Sequence, residues 1–549
     1  MHHNRNKSWR PIFLFLFFNM FFTFSWGTTY YLHPELGNDN HSGTTLLAPF
    51  KSLEKISKLQ LSPGDEILLA SGYTFPGTLK LSGQMGSSKN PIKISSYQWG
   101  NHFKEPRAFI DASQSSHGIH FTDCSYITIE SLIILGNAEQ GDSTLSMRCG
   151  VLVTTSQAGL YEQIQLSNLL IRDIFIEAQG FDRGKDEVRT ANGKQRYGWG
   201  IRFINQTENA VLQKLVVKDC IVDNVAHTGI KFTSRGQRIL DVQVFNNRVL
   251  HTGGPGIQMS GVKLGHVHNN YVYSSGSNDD SRKWGRGSGL WTWGSSDIII
   301  EKNHFLNANG PGDSAGCHID FNCKNVIVQY NFSANNAGGF CEILGNNYNC
   351  AYRYNISVND GHRVKGENGA FQEGKTFWLS GYVGQKRKRK GPFNSYFYNN
   401  TIFVGEHIVS KMAVSKVTGG LLMANNIFYI EGKSIAVKGD QYVPEQAGAA
   451  QLKDVVFNNN LFLKADNWPE DIWIQDSNKI LGDPGFRQKG GLHIIDYIPQ
   501  NIKLIKDKGI KIPRIPNDPI GLIIGLKPIY DILGNKIADQ PDLGAIELN

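Results

Sequence analysis

The sequence has 549 residues, of which 40% are hydrophobic and 19% charged, and its formal net charge is +8. Such a length suggests about three or four domains, yet no linker, charge block or composition shift divides the chain. The 59 glycines are spread throughout, which is typical of many short strands separated by turns. The modest positive charge suits an anionic partner.

Residues 1–27 have the organisation of a secretory signal peptide. A basic start precedes the apolar run Ile12–Phe24, and Ser25-Trp26-Gly27 offers small residues for cleavage. The run is too short to span a membrane comfortably. We therefore expect a secreted or periplasmic protein of residues 28–549, monomeric, with no membrane span and no nucleic-acid partner.

The first predicted element of the mature chain is a helix. It covers Phe50–Leu59 and follows Pro49. At this place it would cap the first coil of a repetitive fold, whose open edge would otherwise be exposed. Residues 28–115 are thus expected to form the N-terminal cap and first coils.

A short pattern, Gly-x-x-apolar, then repeats along the chain and predicts the fold. The spacing is about 30 residues, a coil length for a solenoid. The repeats begin at Gly118, Gly150, Gly200, Gly229, Gly256, Gly289 and Gly316, with a slipped copy at Gly339.

Each repeat is followed by a second alternating strand that ends in asparagine. Asparagine tolerates left-handed turns, and stacked asparagines can form a hydrogen-bonded ladder. The coils are too short for propeller blades and lack hairpin signals. We predict an all-β, single-domain, right-handed parallel β-helix, with residues 480–549 as the C-terminal coils or cap.

The third position of each repeat points outward and forms one column on the surface. The residues of this column are predicted to bind sugar and anion at one end and to carry acid chemistry at the other. They are Arg202, Lys231, Gln258, Trp291 with Trp293, His318 with Asp320, and Glu342. We interpret the two tryptophans as exposed, since exposed large apolar groups usually bind a ligand.

Two chemistries fit this column. Glycoside hydrolysis needs two carboxyl groups, which Asp320 and Glu342 on adjacent coils would supply, with His318 tuning or orienting Asp320. A polysaccharide lyase instead needs a base and a neutralised uronate, for which Lys231, Arg202 and His318 would serve. No cofactor is expected for hydrolysis. Calcium enters only with the lyase, where Asp279-Asp280 would be its ligands, although a solvated loop is the stronger interpretation.

Two further features leave alternatives open. The segment Lys386–Lys390 is a basic patch that fits either a solvated loop tip or an anion-binding loop. Seven cysteines show no zinc spacing. Cys317 and Cys341 match successive repeats and are predicted to pack in the core, while a disulfide among Cys317, Cys323, Cys341 and Cys350 stays open.

Several motifs resemble known families. At the opening and ending of the mature chain these motifs are Tyr30–Pro34, Gly37–Asp39, Ser42–Thr44, Pro49–Leu53, Pro63–Asp65, Asp483–Phe486 and Pro541–Glu547. They resemble secreted bacterial β-helix enzymes that act on polysaccharides. In the middle, Gly289–Trp293, His318–Cys323, Gln329–Ser333 and Gly338–Phe340 resemble β-helix hydrolases related to glycoside hydrolase family 141 and to fucan-degrading enzymes.

The resemblance implies a hydrolase acting on an acidic or sulfated polysaccharide. In that family's pattern, acids occupy both outward positions that match His318 and Asp320, whereas here only Asp320 is acidic. Glu342 is therefore predicted as its partner. A polysaccharide lyase is the second candidate, and a non-catalytic carbohydrate-binding β-helix is the third.

Overall fold

The computed structural model describes residues 27–100, 105–190, 196–437, 452–472 and 474–548, together with Met1. Apart from Met1 and Gly27, the predicted signal peptide lies outside these residues. The described chain folds into three long parallel sheets that form a right-handed β-helix, and each coil contributes one strand to each sheet. The predicted fold class is confirmed.

Sheet 1 carries the repeated glycine pattern. Its twelve strands within the described residues are Leu79–Ser82, His117–Thr122, Arg148–Thr154, Gly198–Asn205, Ile230–Ser234, Ile257–Ser260, Leu290–Trp293, Cys317–Ile319, Gly339–Ile343, Lys375–Leu379, Ser410–Val414 and Ser434–Ala436.

Sheet 2 follows sheet 1 in each coil. Its fourteen described strands are Thr29–Leu32, Glu66–Ala70, Ile92–Tyr97, Ile127–Glu130, Gly159–Ser167, Ala210–Lys218, Ile239–Phe245, Val262–His268, Ser296–Glu301, Lys324–Gln329, Ala351–Arg353, Phe393–Tyr398, Gly419–Ala424 and Val455–Asn458.

Sheet 3 completes each coil. Its fourteen described strands are Thr74–Pro76, Ala108–Asp111, Leu132–Asn137, Leu170–Phe175, Ile221–Val225, Arg248–Thr252, Tyr271–Tyr273, His304–Leu306, Phe332–Ala334, Ile356–Val358, Thr401–Val404, Ile427–Ile430, Leu461–Phe462 and Ile480–Leu481.

The repeated glycine has a steric cause. A Cβ atom on Gly150, Gly229 or Gly256 would lie 2.9, 2.8 or 2.6 Å from the carbonyl oxygen of the next coil's glycine. It would also lie within 2.4 Å of a buried sheet 3 side chain, such as Val249 beside Gly229. Sheet 1 and sheet 3 meet too closely here for any larger residue, so the glycine marks a corner of the core.

The predicted asparagine ladder is present between sheet 2 and sheet 3. Each side-chain amide donates to the side-chain oxygen of the next coil at 2.7–3.0 Å, and the members are Asn247, Asn270, Asn303, Asn331, Asn355, Asn400, Asn426 and Asn460, ending on Asp476. The left-handed conformation falls on the preceding residue instead, as in Asn246 (φ 56°) and Asn269 (φ 54°). Turn formation and ladder formation are thus divided between two neighbouring residues.

The predicted N-terminal helix is present but shorter, at Leu53–Ser57, because Ser52 caps it through a 3.2 Å bond from Lys55 N. Leu53 and Ile56 are buried against the first coils. The other described helical segments are Lys185–Val188 and Ile502–Ile505, with 3₁₀ turns at Ala465–Asn467 and Ile494–Tyr497. None of the described helices is long and apolar enough to cross a membrane.

The C-terminal segment, which was predicted as coils or a cap, lies mostly outside the coils. Only Ile480–Leu481 adds a strand to the solenoid among the described residues of 480–548. The rest folds back along the outside, where Asn399 Nδ2 donates to Asp542 O (2.8 Å) and Arg353 Nη1 donates to Gly525 O (2.7 Å). It covers apolar side chains on the outer faces of sheets 2 and 3.

The cysteines pack as small apolar residues. All seven are free and buried, so none of the disulfides considered for Cys317, Cys323, Cys341 and Cys350 is formed. Cys317 and Cys341 both belong to the main core, as predicted.

Candidate active site

The register of sheet 1 places the predicted column in one line. Lys231 pairs with Gln258, Gln258 with Trp291, and Trp291 with His318. Because Ile319 pairs with Ile343 in the next coil, Glu342 stands beside His318. The predicted order of the column is therefore the observed order.

The first four coils of the column, from Arg202 to Trp291, contribute buried side chains, which corrects the prediction of an exposed binding face. The exposed fractions of Arg202, Lys231, Gln258 and Trp291 are 8%, 4%, 3% and 5%. Only Trp293, at 39%, is exposed as predicted. Outward direction from a sheet does not ensure contact with solvent when loops fold over it.

The cover comes from connections between sheet 3 and sheet 1. Trp284 stacks on His227 (ring centroids 4.5 Å), and His227 stacks on Trp199 (3.8 Å). The Arg202 guanidinium lies 4.0 Å from the Trp199 ring. Burial lowers the pKa of Lys231 well below its usual value, and the neighbouring Arg202 lowers it further. These two cations are thus parts of a packed interior.

The other end of the column, from His318 to Glu342, contains two carboxyl groups with raised pKa values. Burial raises the pKa of Asp320 to about 7, although a 2.8 Å hydrogen bond from Phe321 N to its carboxylate opposes the shift. Burial also raises the pKa of Glu342, against the opposing charge of Lys375. Asp320 adds to the rise at Glu342, so the two predicted acids lie within electrostatic reach of each other.

A third carboxylate, Asp313, belongs to the same cluster and was not predicted. Arg286 donates two hydrogen bonds to it, Nε to Oδ2 and Nη2 to Oδ1, both 2.8 Å. Burial alone would raise the pKa of Asp313, but the charge and hydrogen bonds of Arg286 outweigh burial and lower it. Asp313 in turn raises the pKa of Asp320 and of Glu342. We call Asp313, Asp320 and Glu342 the acid cluster.

His318 has a different partner from the predicted one. Its Nδ1 lies 3.0 Å from Ser288 Oγ, and no hydrogen bond joins it to Asp320 within the described residues. Burial lowers the pKa of His318 to about 4, against the opposing charge of Asp313. A neutral imidazole therefore lies among the acids at neutral pH.

An aromatic surface adjoins the acid cluster. Trp293 packs edge-on against Phe321 (ring centroids 5.9 Å), and Phe321 packs edge-on against Tyr382 (5.8 Å). Phe321 and Tyr382 are half-buried, and Phe321 directly follows Asp320 in the chain. We call these three residues the aromatic platform. Partly exposed rings of this kind offer flat apolar faces to a sugar.

One of the two predicted calcium ligands is paired with an arginine, and the other is exposed. Asp280 accepts hydrogen bonds from Arg282 Nε (2.9 Å) and Nη2 (2.6 Å), while Asp279 is exposed. Across the described part of the chain, no group of three or more His, Cys, Asp or Glu side chains has a metal-binding arrangement. A cleft of about 760 Å³ on the outer face of sheet 3 includes both aspartates but no member of the acid cluster.

Comparisons with known proteins agree with the architecture. Residues 199–402 match the family model described as "Right handed beta helix region". Over 630 aligned residues the chain is 23% identical to a lacto-N-biosidase of Bifidobacterium longum subsp. longum. The alignment covers 96% of this chain but 36% of that protein, so the chain spans about a third of the relative's length.

Solved structures give the same result. The crystal structure of a GH136 lacto-N-biosidase from Eubacterium ramulus aligns with a TM-score of 0.50 and 21% identity, covering 78% of this chain and 68% of that one. At this identity the likeness shows the fold alone. None of these matches supports the relationship to family 141 or to fucan-degrading enzymes that the motifs suggested.

Proposed function

We propose that this chain is a glycoside hydrolase whose acid cluster cleaves a glycosidic bond beside the aromatic platform. The observation that carries the proposal is a pair of neighbouring carboxyl groups with opposite pKa shifts. Asp320 holds its proton up to about pH 7, whereas Arg286 keeps Asp313 ionised. Glycoside hydrolysis requires one carboxylic acid and one carboxylate in the same site.

In this mechanism Asp320 donates its proton to the glycosidic oxygen, so the leaving sugar departs as an alcohol. In the same step Asp313 acts at the anomeric carbon, either as the base that takes a proton from the attacking water or as the nucleophile that forms a glycosyl ester. Water then cleaves that ester, and Asp320, now ionised, takes the proton of this water. The predicted pair was Asp320 with Glu342. We propose Asp313 as the partner instead, because a raised pKa makes Glu342 a second proton donor, and two proton donors cannot divide the two roles.

The substrate contacts follow from the surroundings of Asp320. A sugar ring lying on Trp293 and Phe321 would bring its glycosidic oxygen to the adjoining acid. The sequence relationship to a lacto-N-biosidase, a glycoside hydrolase, supports this class of reaction. The lyase alternative loses its predicted basis, since Lys231 and Arg202, the cations predicted to neutralise a uronate, are buried.

The acidic or sulfated substrate predicted from the column loses its original basis with the burial of these two cations. We retain an anionic substrate as part of the proposal on the basis of a different set of cations, Lys386–Lys390. Export through residues 1–27 and action as a monomer without a metal cofactor also remain proposals.

The proposal is tested by incubation with neutral and anionic glycans while reducing ends and unsaturated uronate absorbance are followed together. We expect new reducing ends without absorbance, and loss of this activity in Asp320→Asn and Asp313→Asn. The matched control is Asp279→Asn, an exposed aspartate outside the cluster. Absorbance rising with reducing ends would show a lyase, and binding without either signal would show a non-catalytic protein.

A further inference from the structure

A loop of strongly basic sequence stands beside the aromatic platform. Residues 380–392 connect sheet 1 to sheet 2, and their base is closed by a 2.9 Å hydrogen bond from Lys390 N to Gly381 O. A Cβ atom on Gly384 would lie 4.0 Å from Cζ of Phe321. The loop is therefore a wall of the proposed sugar site.

Five consecutive cations, Lys386–Lys390, run from the turn of this loop back to its base, and we call this segment the basic loop. All are exposed except the half-buried Arg389. Within the part of the chain that the structure describes, none of the five forms an ion pair, and Arg389 Nη1 is buried without a hydrogen-bond partner. Five like charges held in one short loop create a local positive potential that favours a bound polyanion.

The acid cluster does not compensate this charge. Burial raises the pKa values of Asp320 and Glu342, and Asp313 is already paired with Arg286. Arg and Lys bind carboxylate and sulfate groups through charge-assisted hydrogen bonds.

We infer that the basic loop binds carboxylate or sulfate groups of an anionic glycan whose neighbouring units lie on the aromatic platform. This names the substrate class of the proposed hydrolase and rests on that function for its catalytic meaning. The binding itself does not depend on catalysis, so the two are separable. Arg202 and Lys231, the cations first considered for this role, are enclosed by Trp199 and its neighbours.

The test uses the full chain and binding measured by affinity electrophoresis with polygalacturonate, dextran sulfate and, as the neutral probe, dextran. The loop variant is Lys386→Gln/Arg387→Gln/Lys388→Gln. The control variant, Lys503→Gln/Lys508→Gln/Lys511→Gln, removes equal charge from exposed positions in the C-terminal segment. We expect the loop variant to bind one or both anionic probes about tenfold more weakly, while the control variant binds nearly as the wild type does.

A variant of the aromatic platform tests whether one glycan chain contacts both the platform and the basic loop. Trp293→Ala is expected to weaken binding of the same anionic probe, because platform and loop would hold neighbouring units of one chain. Equal losses in the loop and control variants, or an unchanged affinity in Trp293→Ala, would overturn the inference. If only the loop variant loses binding and the wild type hydrolyses no glycan, the role of the basic loop is supported and the hydrolase function is rejected. A preference for polygalacturonate or for dextran sulfate identifies the anionic group.

Discussion

Arg286 and Asp313 form a two-bond ion pair with both N···O distances at 2.8 Å, and this pair lies beside a second aspartate, Asp320. The pair has two electrostatic consequences. It holds Asp313 in the ionised form, and the resulting negative charge favours the protonated form of Asp320. Arg286 therefore lowers the pKa of Asp313 against the effect of burial, whereas burial is the main cause of the raised pKa of Asp320.

Removal of Arg286 is expected to change the pH dependence of catalysis. In Arg286→Gln the pKa of Asp313 should rise, because burial is no longer opposed by that positive charge. Asp313 would then be protonated over more of the acidic range, and the acidic limb of kcat/KM should move up by at least about one pH unit. The measurement is a pH–rate profile. Arg282→Gln, which breaks a similar buried pair with Asp280, should leave the limb in place.

Activity is expected to decline as the pH rises through about 7. Asp320 must be protonated to act as the acid, and its pKa is raised to about 7 by burial, so the active form predominates below that pH and is lost above it. Asp320→Asn should lower kcat at least about 100-fold and abolish this limb. An alkaline limb that persists in the residual activity of Asp320→Asn would assign the limb to another group.

The two tryptophans of the Gly289–Trp293 repeat should behave oppositely. Trp291 is 5% exposed, and Trp291→Ala should lower the free energy of unfolding by about 3–5 kcal/mol. Trp293 is 39% exposed, and Trp293→Ala should raise KM with little loss of stability, because it removes a sugar contact. Chemical denaturation and steady-state kinetics of both variants separate the roles. A large stability loss in Trp293→Ala would contradict the platform.

Glu342 is expected to cost stability at alkaline pH. Its pKa is raised in the folded state, so the folded protein binds this proton more tightly than the unfolded chain does. The resulting stabilisation is complete below about pH 4.5, the ordinary value, and is lost as the pH rises through the raised pKa. Glu342→Gln should therefore be more stable than the wild type at pH 9, by about 1 kcal/mol or more, and similar to it near pH 4. The exposed Glu139→Gln serves as control, measured by thermal melting at both pH values.

The asparagine ladder should be important for stability. Asn331 Oδ1 accepts from Asn303 Nδ2, and Asn331 Nδ2 donates to Asn355 Oδ1, both at 3.0 Å. Asn331→Ala removes both ladder bonds and also the acceptor of the buried Asn303 backbone N–H (3.0 Å), at a cost of about 2–4 kcal/mol. The exposed Asn309→Ala should change stability by less than about 0.5 kcal/mol. Comparable melting temperatures for the two variants would show that the ladder contributes little to stability.

Much of the site could be placed from the repeat alone, because pairing in a parallel sheet transmits position from coil to coil. His318 and Glu342 were aligned correctly for this reason. Asp313 was missed because it lies in a connection between sheets, where no periodicity applies. Its signal was weak but present: Gly312-Asp313-Ser314 stands just before the Gly316 repeat, and loops at the mouth of a scaffold commonly carry functional groups. Phe321 and Tyr382 of the platform were missed for the same reason.

The sequence by itself determined the β-helix, the outward column and the ladder, because each follows from a local requirement that recurs in every coil. Gly229 and Gly256 leave no space for a Cβ atom, and Asn303 must bond to the coils above and below it. Only the tertiary structure decided which members of the column meet solvent and which carboxyl groups share one site. Burial and pKa depend on loops brought together from distant coils, and those contacts have no period that a sequence can reveal.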